Sequence, residues 1–286
     1  MISSSGPGIS LMQEGISYMA SAEIPFLIVN VQRGGPGLGT IQPSQGDYFQ
    51  ATKGGGHGDY RLIVLAPASV QEMADFVFDG FRLAEKYRVG SMILADGALG
   101  QMMEKIVLPP AGSLPLQEKP WATVGKPPSR ERNILTSLFI QPEKMEEVNL
   151  KLQKKYQDIR SEVRYEAIQV EDADIVLVAF GLSARISQKA LELARDKGIR
   201  VGLIRPITLY PFPSAILSQI ALSVGAFLVV EMNAGQMLED VELAVRGEKP
   251  VMFKGRMGGM IPSPEEVLRE IETIAAVHVT NSELIS

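Results

Sequence analysis

An arginine in a glycine-rich turn, just past the carboxyl end of an apolar strand, is the most chemically suggestive feature of this sequence. It is Arg33, in Gln32-Arg33-Gly34-Gly35-Pro36, following Ile24-Pro25-Phe26-Leu27-Ile28-Val29-Asn30-Val31. A guanidinium is always charged and offers a planar fork that matches a carboxylate or phosphate. In open α/β sheets the carboxyl ends of the strands are where ligands bind. A second loop, Ser3-Ser4-Ser5-Gly6-Pro7-Gly8, opens directly into a helical pattern of Ile9, Met12, Ile16 and Met19. Its serine hydroxyls and the free N–H groups of a helix start suit an anion or a polar ring edge. His57, in Gly54-Gly55-Gly56-His57-Gly58-Asp59, is a candidate pocket residue or proton partner, and a loop-stabilising hydrogen bond explains it equally well.

Composition excludes several other chemistries. Cysteine is absent, which removes disulfides, thiolate nucleophiles and any iron–sulfur cluster ligated by this polypeptide. With only two histidines, a multi-histidine metal site is close to excluded, and we assign no metal ligand. A formal charge of −5 gives no general attraction for nucleic acid or an anionic membrane. No apolar run approaches the roughly 18 residues of a membrane span. No secretory leader opens the sequence, so a cytoplasmic location is expected.

The elements that must position these residues alternate. Arg61–Leu65 reads as a buried strand, and the capping box Ser69/Glu72 starts a helix over Val70–Tyr87. Ser91–Ala95 is another strand, ending at Asp96-Gly97, which we read as a turn. Pro, Gly, Lys and Ser dominate from Pro109 to about Arg132, a linker anchored by the single tryptophan, Trp121. A charged helical segment, with its charge run solvated, follows from Pro142 to Arg164. The alternation then restarts: strand 174–180, helix 183–196, strand 199–204, a stiff connection Arg205–Pro213, helix 214–223, strand 226–231, helix 237–245, strand 250–253 and a last helix capped by Ser263. Residues after Val279 read as a loose tail. Gly181-Leu182-Ser183 lacks a phosphate-loop string and reads as a tight helix start. Glu231, at a strand end, is expected to pair locally. The fold class is therefore α/β with two doubly wound domains, divided as 1–115, 116–165 (linker and charged helix) and 166–286. The first domain looks incomplete, because the sequence begins inside what reads as a strand-to-helix loop.

Taken together, Ser4-Ser5-Gly6-Pro7-Gly8, Leu11-Met12-Gln13-Glu14, Val31-Gln32-Arg33-Gly34-Gly35-Pro36-Gly37, Gln45-Gly46-Asp47, Gly56-His57-Gly58-Asp59 and Arg205-Pro206-Ile207-Thr208-Leu209-Tyr210-Pro211-Phe212-Pro213 resemble the α subunit of 2-oxoacid:ferredoxin oxidoreductases. Gly37-Leu38-Gly39 and Ile41-Gln42-Pro43-Ser44-Gln45 most resemble the branched-chain, 2-oxoisovalerate type. The resemblance implies a pyrimidine-binding-type domain and a transketolase C-terminal-like domain, in an enzyme that decarboxylates a 2-oxoacid oxidatively with coenzyme A and reduces ferredoxin. It implies thiamine diphosphate with Mg²⁺ shared with a β subunit, [4Fe–4S] clusters on partner subunits, and γ and δ (ferredoxin-like) subunits. It implies Arg33, Ser5 and Gly6 as substrate-binding and Ser4, Gly6, Pro7, Gly8 and His57 as cofactor-binding residues. The family's upstream segment, with its Tyr-Pro-Ile-Thr-Pro string and activating glutamate, does not occur here, so no catalytic residue is assigned. A 2-oxoglutarate or pyruvate enzyme, an NAD-linked dehydrogenase or transketolase-like subunit, and a truncated assembly subunit remain as alternatives.

Overall fold

The computed structural model describes residues 1–110 and 118–283, with side chains to 276. The expected boundary between residues 115 and 116 lies outside them. Two five-stranded sheets form the chain. The first takes the order β1 (Ile2–Ser4), β2 (Phe26–Gln32), β4 (Gly90–Asp96), β3 (Ile63–Leu65) and β8 (Thr208–Tyr210). Its first four strands are parallel, and β8 adds antiparallel to β3. The second runs β10 (Val251–Gly255), β9 (Ala226–Glu231), β6 (Ile175–Val178), β7 (Val201–Pro206) and β5 (Tyr165–Ile168), parallel except for β5.

The central strands are apolar on both faces because helices cover both sides, as parallel sheets require. One core contains Ile28, Val64 and Leu94 of the first sheet together with Val176, Ile204 and Val229 of the second. The sheets thus share a hydrophobic interior, while separate cores lie on their outer faces.

Helix α4 (Val70–Tyr87) forms as its capping box demands: Ser69 Oγ accepts from Glu72 N at 3.1 Å, and Glu72 reaches back to Ala68 N at 2.7 Å. Two expectations are corrected at the amino terminus. The chain opens on a short strand, with Ser4 in register with Asn30, and the first helix is two, α1 (Pro7–Leu11) and α2 (Gln13–Ser21), meeting at Met12.

Further corrections follow in order. The loop from Gln32 to Tyr60 contains a short helix, α3 (Tyr48–Thr52). The charged helix α5 (Pro142–Ile159) is not simply solvated: Lys155 Nζ donates to Glu23 Oε2 at 2.6 Å and to the Arg88 carbonyl at 2.9 Å, and Lys151 also pairs with Glu23. The stretch after Arg205 is not a free connection. One residue, Ile207, separates β7 of the second sheet from β8 of the first. Buried Arg205 fixes this crossing through a bidentate pair with Glu72 (2.9 and 2.7 Å) and a bond to Glu166 (2.7 Å). Trp121 packs against Arg88, whose guanidinium lies 4.8 Å from the ring centre. Helices α6 (Gly181–Asp196), α7 (Ser214–Ile220) and α8 (Gln236–Val245) complete the second half, and the last, α9, runs from Pro264 to Glu283 through most of the expected tail. Among the described residues no helix is long and apolar enough to cross a membrane.

Candidate functional site

Arg33 follows β2 directly and bridges antiparallel to Pro43, so residues 34–42 fold back as a closed loop. Thr40 N donates to Gly34 O at 2.7 Å and Gly34 N to Gln42 O at 2.9 Å. The arginine's Nη1 is spent on this loop, donating to Leu38 O at 2.5 Å and Thr40 O at 3.3 Å. Its Nε and Nη2 make no hydrogen bond among the described residues. They lie against Gly6, where an added Cβ would come within 3.2 Å of Nε and 3.4 Å of Nη2. Gly6 also has φ +49°, so both space and backbone select glycine there.

Arg33, Gly6 and Pro7 line a cleft of about 770 Å³ between the two halves, within the size range of small-molecule sites. Ser10, Leu11, Ser44, Gly46 and Asp47 continue the first half's wall, and Met232, Asn233, Ala234, Gln236, Met257 and Gly258 form the other. The loop carrying Gly258 and Gly259 abuts the Arg33 loop so closely that a Cβ on Gly34 would stand 2.9 Å from both residues' backbone.

Gln45 pegs the two walls together. Fully buried, it donates from Nε2 to Phe180 O at 2.8 Å, and its Oε1 accepts from Ser183 Oγ at 2.7 Å and Met232 N at 2.9 Å. Its backbone adds a bond to Met232 O at 3.0 Å and one from Asn233 Nδ2 at 2.8 Å. Beside it, Asp47 Oδ2 accepts from buried Asn30 Nδ2 at 2.9 Å, and Asp47 N donates to Gln32 Oε1 at 2.9 Å. Burial raises the Asp47 carboxyl above its ordinary range, opposed by the Asn30 hydrogen bond and the charge of Arg33.

Of the residues singled out from sequence, the structure brings Arg33, Gly6 and Pro7 together on the cleft. Ser4 and Ser5 stand with Arg33, Ser3 and Gln101 around a smaller neighbouring cleft of about 360 Å³. Gly8 lines neither cleft, and a Cβ there would push aside only the Ser4 hydroxyl, 2.1 Å away. His57 is not brought to this cleft. It borders a separate groove with Glu14, Tyr18, Asp59 and Asn149.

The strand-end acids both serve the fold. Asp96 Oδ1 accepts from Ala98 N (2.9 Å) and Leu99 N (3.0 Å), and the carboxylate also meets the Leu182 N–H at the start of α6. That helix terminus is therefore occupied by a side chain of the first half, as a tight helix start requires. Asn30, Gln45, Asp47, Asn233 and Gln236 were not singled out as site residues. For Asn30 a signal existed: an amide inside the apolar run of β2 must have a partner when buried.

Glu231 pairs locally, accepting from Met237 N (2.9 Å), Leu238 N (3.0 Å) and Asn233 Nδ2 (2.8 Å) and so capping α8. Burial pushes its carboxyl up to about 6 from 4.5, despite those bonds. A group raised on folding contributes stability that is complete below its unfolded value and lost as pH rises through the folded one. Relative to Glu231→Gln, the wild-type chain should therefore gain about 2 kcal/mol between pH 7.5 and pH 4.5. Urea denaturation of both proteins across that range checks this, and parallel pH curves would refute it.

The cleft is roomy enough for a flat heteroaromatic ring beside a small acid, with Pro7, Leu11, Met232 and Met257 as apolar walls. Among the described residues no three acidic or histidine side chains converge to hold a metal ion. These residues fit the ring and substrate side of a thiamine diphosphate site, and they do not fit its metal-bound diphosphate.

Residues 1–172 match the family described as pyruvate flavodoxin/ferredoxin oxidoreductase, thiamine diP-binding, and residues 173–267 match pyruvate:ferredoxin oxidoreductase core domain II. Ketoisovalerate oxidoreductase subunit VorB of Methanothermobacter marburgensis is 51% identical over 278 residues, covering 96% of this chain and 78% of that protein. The 2-oxoglutarate synthase subunit KorA of the same organism is 36% identical over 298 residues, covering 95% and 79%. Among solved structures, a 2-oxoglutarate:ferredoxin oxidoreductase from Magnetococcus marinus, with 2-oxoglutarate, coenzyme A and succinyl-CoA bound, superposes with a TM-score of 0.77 at 26% identity. The match covers 96% of this chain, which spans about half (52%) of that one. A split gene transketolase shares the fold alone, at TM-score 0.57 and 14% identity over 96% of this chain and 75% of its own.

Proposed function

The chain belongs to the 2-oxoacid:ferredoxin oxidoreductase family, as a subunit of an oxidoreductase acting on 2-oxoacids, and from that premise we propose that its cleft binds 2-oxoisovalerate for coenzyme A-dependent oxidative decarboxylation. The observation that carries this reading is the lining of the cleft. Among its described residues Arg33 is the one cation, and Leu11, Met232 and Met257 are apolar. A monocarboxylate with a branched alkyl side chain satisfies both, whereas a dicarboxylate would bring a second charge with no partner. The 51% identity to a ketoisovalerate subunit, against 36% to a 2-oxoglutarate subunit, supports the same choice.

In this reading the free Nε and Nη2 of Arg33 hold the substrate carboxylate, while the bonds from Nη1 to Leu38 and Thr40 keep the guanidinium from turning away. Gly6 borders the substrate, Ser5 and Ser4 stand on the neighbouring cleft that Arg33 also lines, and Leu11, Met232 and Met257 offer apolar contact to the alkyl group. Gly6 and Pro7 shape the floor on which the cofactor ring would lie, with Gly8 behind them in α1. His57, in its separate groove, has no contact with this chemistry. When bound, thiamine diphosphate supplies the electron sink for decarboxylation. Its diphosphate and Mg²⁺ fall to a β subunit that also carries a [4Fe–4S] cluster, and γ and δ subunits pass electrons to ferredoxin, all in the cytoplasm.

The test is a comparison of kcat/KM in the enzyme assembled with its partner subunits. We expect 2-oxoisovalerate to exceed 2-oxoglutarate by about 100-fold, the equivalent of leaving one carboxylate unpaired in a partly desolvated site. A preference for 2-oxoglutarate would overturn the assignment.

A further inference from the structure

Asp47 is the one carboxylate among the described residues lining the cleft whose one cation is Arg33. The arrangement around it has no role in the function proposed so far. Asn30 is wholly buried, and its single side-chain hydrogen bond runs from Nδ2 to Asp47 Oδ2 at 2.9 Å. Its Oδ1 is buried without a partner. A buried amide oxygen left unpaired is costly, and such exceptions call for an explanation.

The environment of Asp47 is otherwise neutral. Gln32 meets it from β2, and the facing residues Asn233 and Gln236 are uncharged. Tyr48, Lys53 and Asp240 form their own cluster between α3 and α8: Tyr48 donates to Asp240 at 2.5 Å, and Lys53 pairs with the same carboxylate. Glu231 is tied into the start of α8. Arg33 is left as the charge that acts on Asp47.

We propose that Asp47, which lines the same cleft as Arg33 without a direct ion pair to it, is the group that takes up a proton when the substrate carboxylate docks on Arg33. This rests on the assignment of Arg33 as the carboxylate-binding group. Two carboxylates in one partly desolvated cleft repel each other, and the cheapest relief is to neutralise the one that can change its proton count. The substrate acid is too strong to be that one. A single proton enters from solvent for each carboxylate bound, and no bond of the substrate changes. Asn30 can serve both states. With Asp47 ionised, Nδ2 donates to it, as seen. With Asp47 protonated, a half-turn of the amide presents the unpartnered Oδ1 as acceptor for the new O–H, and no other hydrogen bond holds the side chain in its present orientation. Asp47 is thus a positioning residue that tunes the affinity of Arg33.

The experiment uses the assembled enzyme and 2-hydroxyisovalerate, an unreactive counterpart of the substrate. Titration calorimetry at pH 6 in buffers of different ionisation enthalpy should show uptake of up to one proton per site, with affinity rising as pH falls from 8 to 5.5. Asp47→Asn should abolish the uptake, flatten the pH dependence of both this affinity and the KM for 2-oxoisovalerate, and bind more tightly than wild type at pH 8 by about tenfold. Removing a carboxylate of merely structural importance would not tighten binding. The proton count is read on the unaltered enzyme, so it decides the matter even if the variant fails to fold. Binding that is lost in Arg33→Ala but carries no proton in wild type would overturn the role of Asp47 alone. Binding indifferent to Arg33→Ala would overturn the assignment of Arg33 and this inference with it.

Discussion

Arg33→Ala, in the enzyme assembled with its partner subunits, should raise the KM for 2-oxoisovalerate and lower kcat/KM by about 30- to 1,000-fold. That range corresponds to about 2–4 kcal/mol for removing one partner of a charge-assisted carboxylate pair. We place it below the largest values known for such pairs because Arg33 is only half-buried, so solvent screens part of the interaction. Arg33→Lys should recover a minor part of the loss, since an ammonium on a flexible stem cannot reproduce the two parallel bonds that Nε and Nη2 offer. Both variants should fold, because the bonds they forfeit end on carbonyls of an exposed loop. Affinity for coenzyme A should stay near wild type. Unchanged oxoacid kinetics in Arg33→Ala would show that the carboxylate is recognised elsewhere.

Replacing Gln45 by leucine is expected to be the most destabilising single change in the cleft, costing about 3–6 kcal/mol. The substitution keeps bulk but strands three groups at once: the Phe180 carbonyl, the Ser183 hydroxyl and the Met232 N–H. Each buried polar group left unsatisfied costs about 1–3 kcal/mol. The bonds made by the Gln45 backbone should survive, so the loss should show mainly as a weakened join between the two halves. Urea denaturation followed by circular dichroism measures it. A loss under about 1 kcal/mol would mean that water replaces the amide at little cost.

Much of the fold was legible because its strongest elements carry local signals. The apolar run before Arg33 is β2, the capping box at Ser69 starts α4 where expected, and Ala226–Glu231 is a strand to the residue. The elements that escaped lack any such signal. Strand β8 is three residues long, flanked by Pro206 and Pro211, and its partner β3 lies about 140 residues earlier in the chain. Nothing in Thr208-Leu209-Tyr210 announces an antiparallel neighbour at that distance. The site divides in the same way. Arg33 was visible because a lone cation at a strand end is conspicuous, and Asp96 and Glu231 because acids at strand ends are too. Gln45 was not, because its meaning lies in Phe180, Ser183 and Met232, all more than 130 residues away. Side-chain amides that bond across the chain have no period and no fixed spacing.

The passage from β7 to β8 through Ile207 also bears on how this chain could be divided. The two family matches meet between residues 172 and 173, which invites treating the halves as interchangeable modules. A cut there would leave β3 without its antiparallel neighbour in the first piece and strand β8 as an orphan in the second. The amino-terminal piece would expose the backbone N–H and C=O groups of a sheet edge beside the apolar residues that now meet the other half, and such edges seek partners. Two co-expressed fragments would therefore be expected to find each other by strand complementation. Evolutionary exchange of either half, by the same logic, must bring along a sequence able to donate or receive that strand.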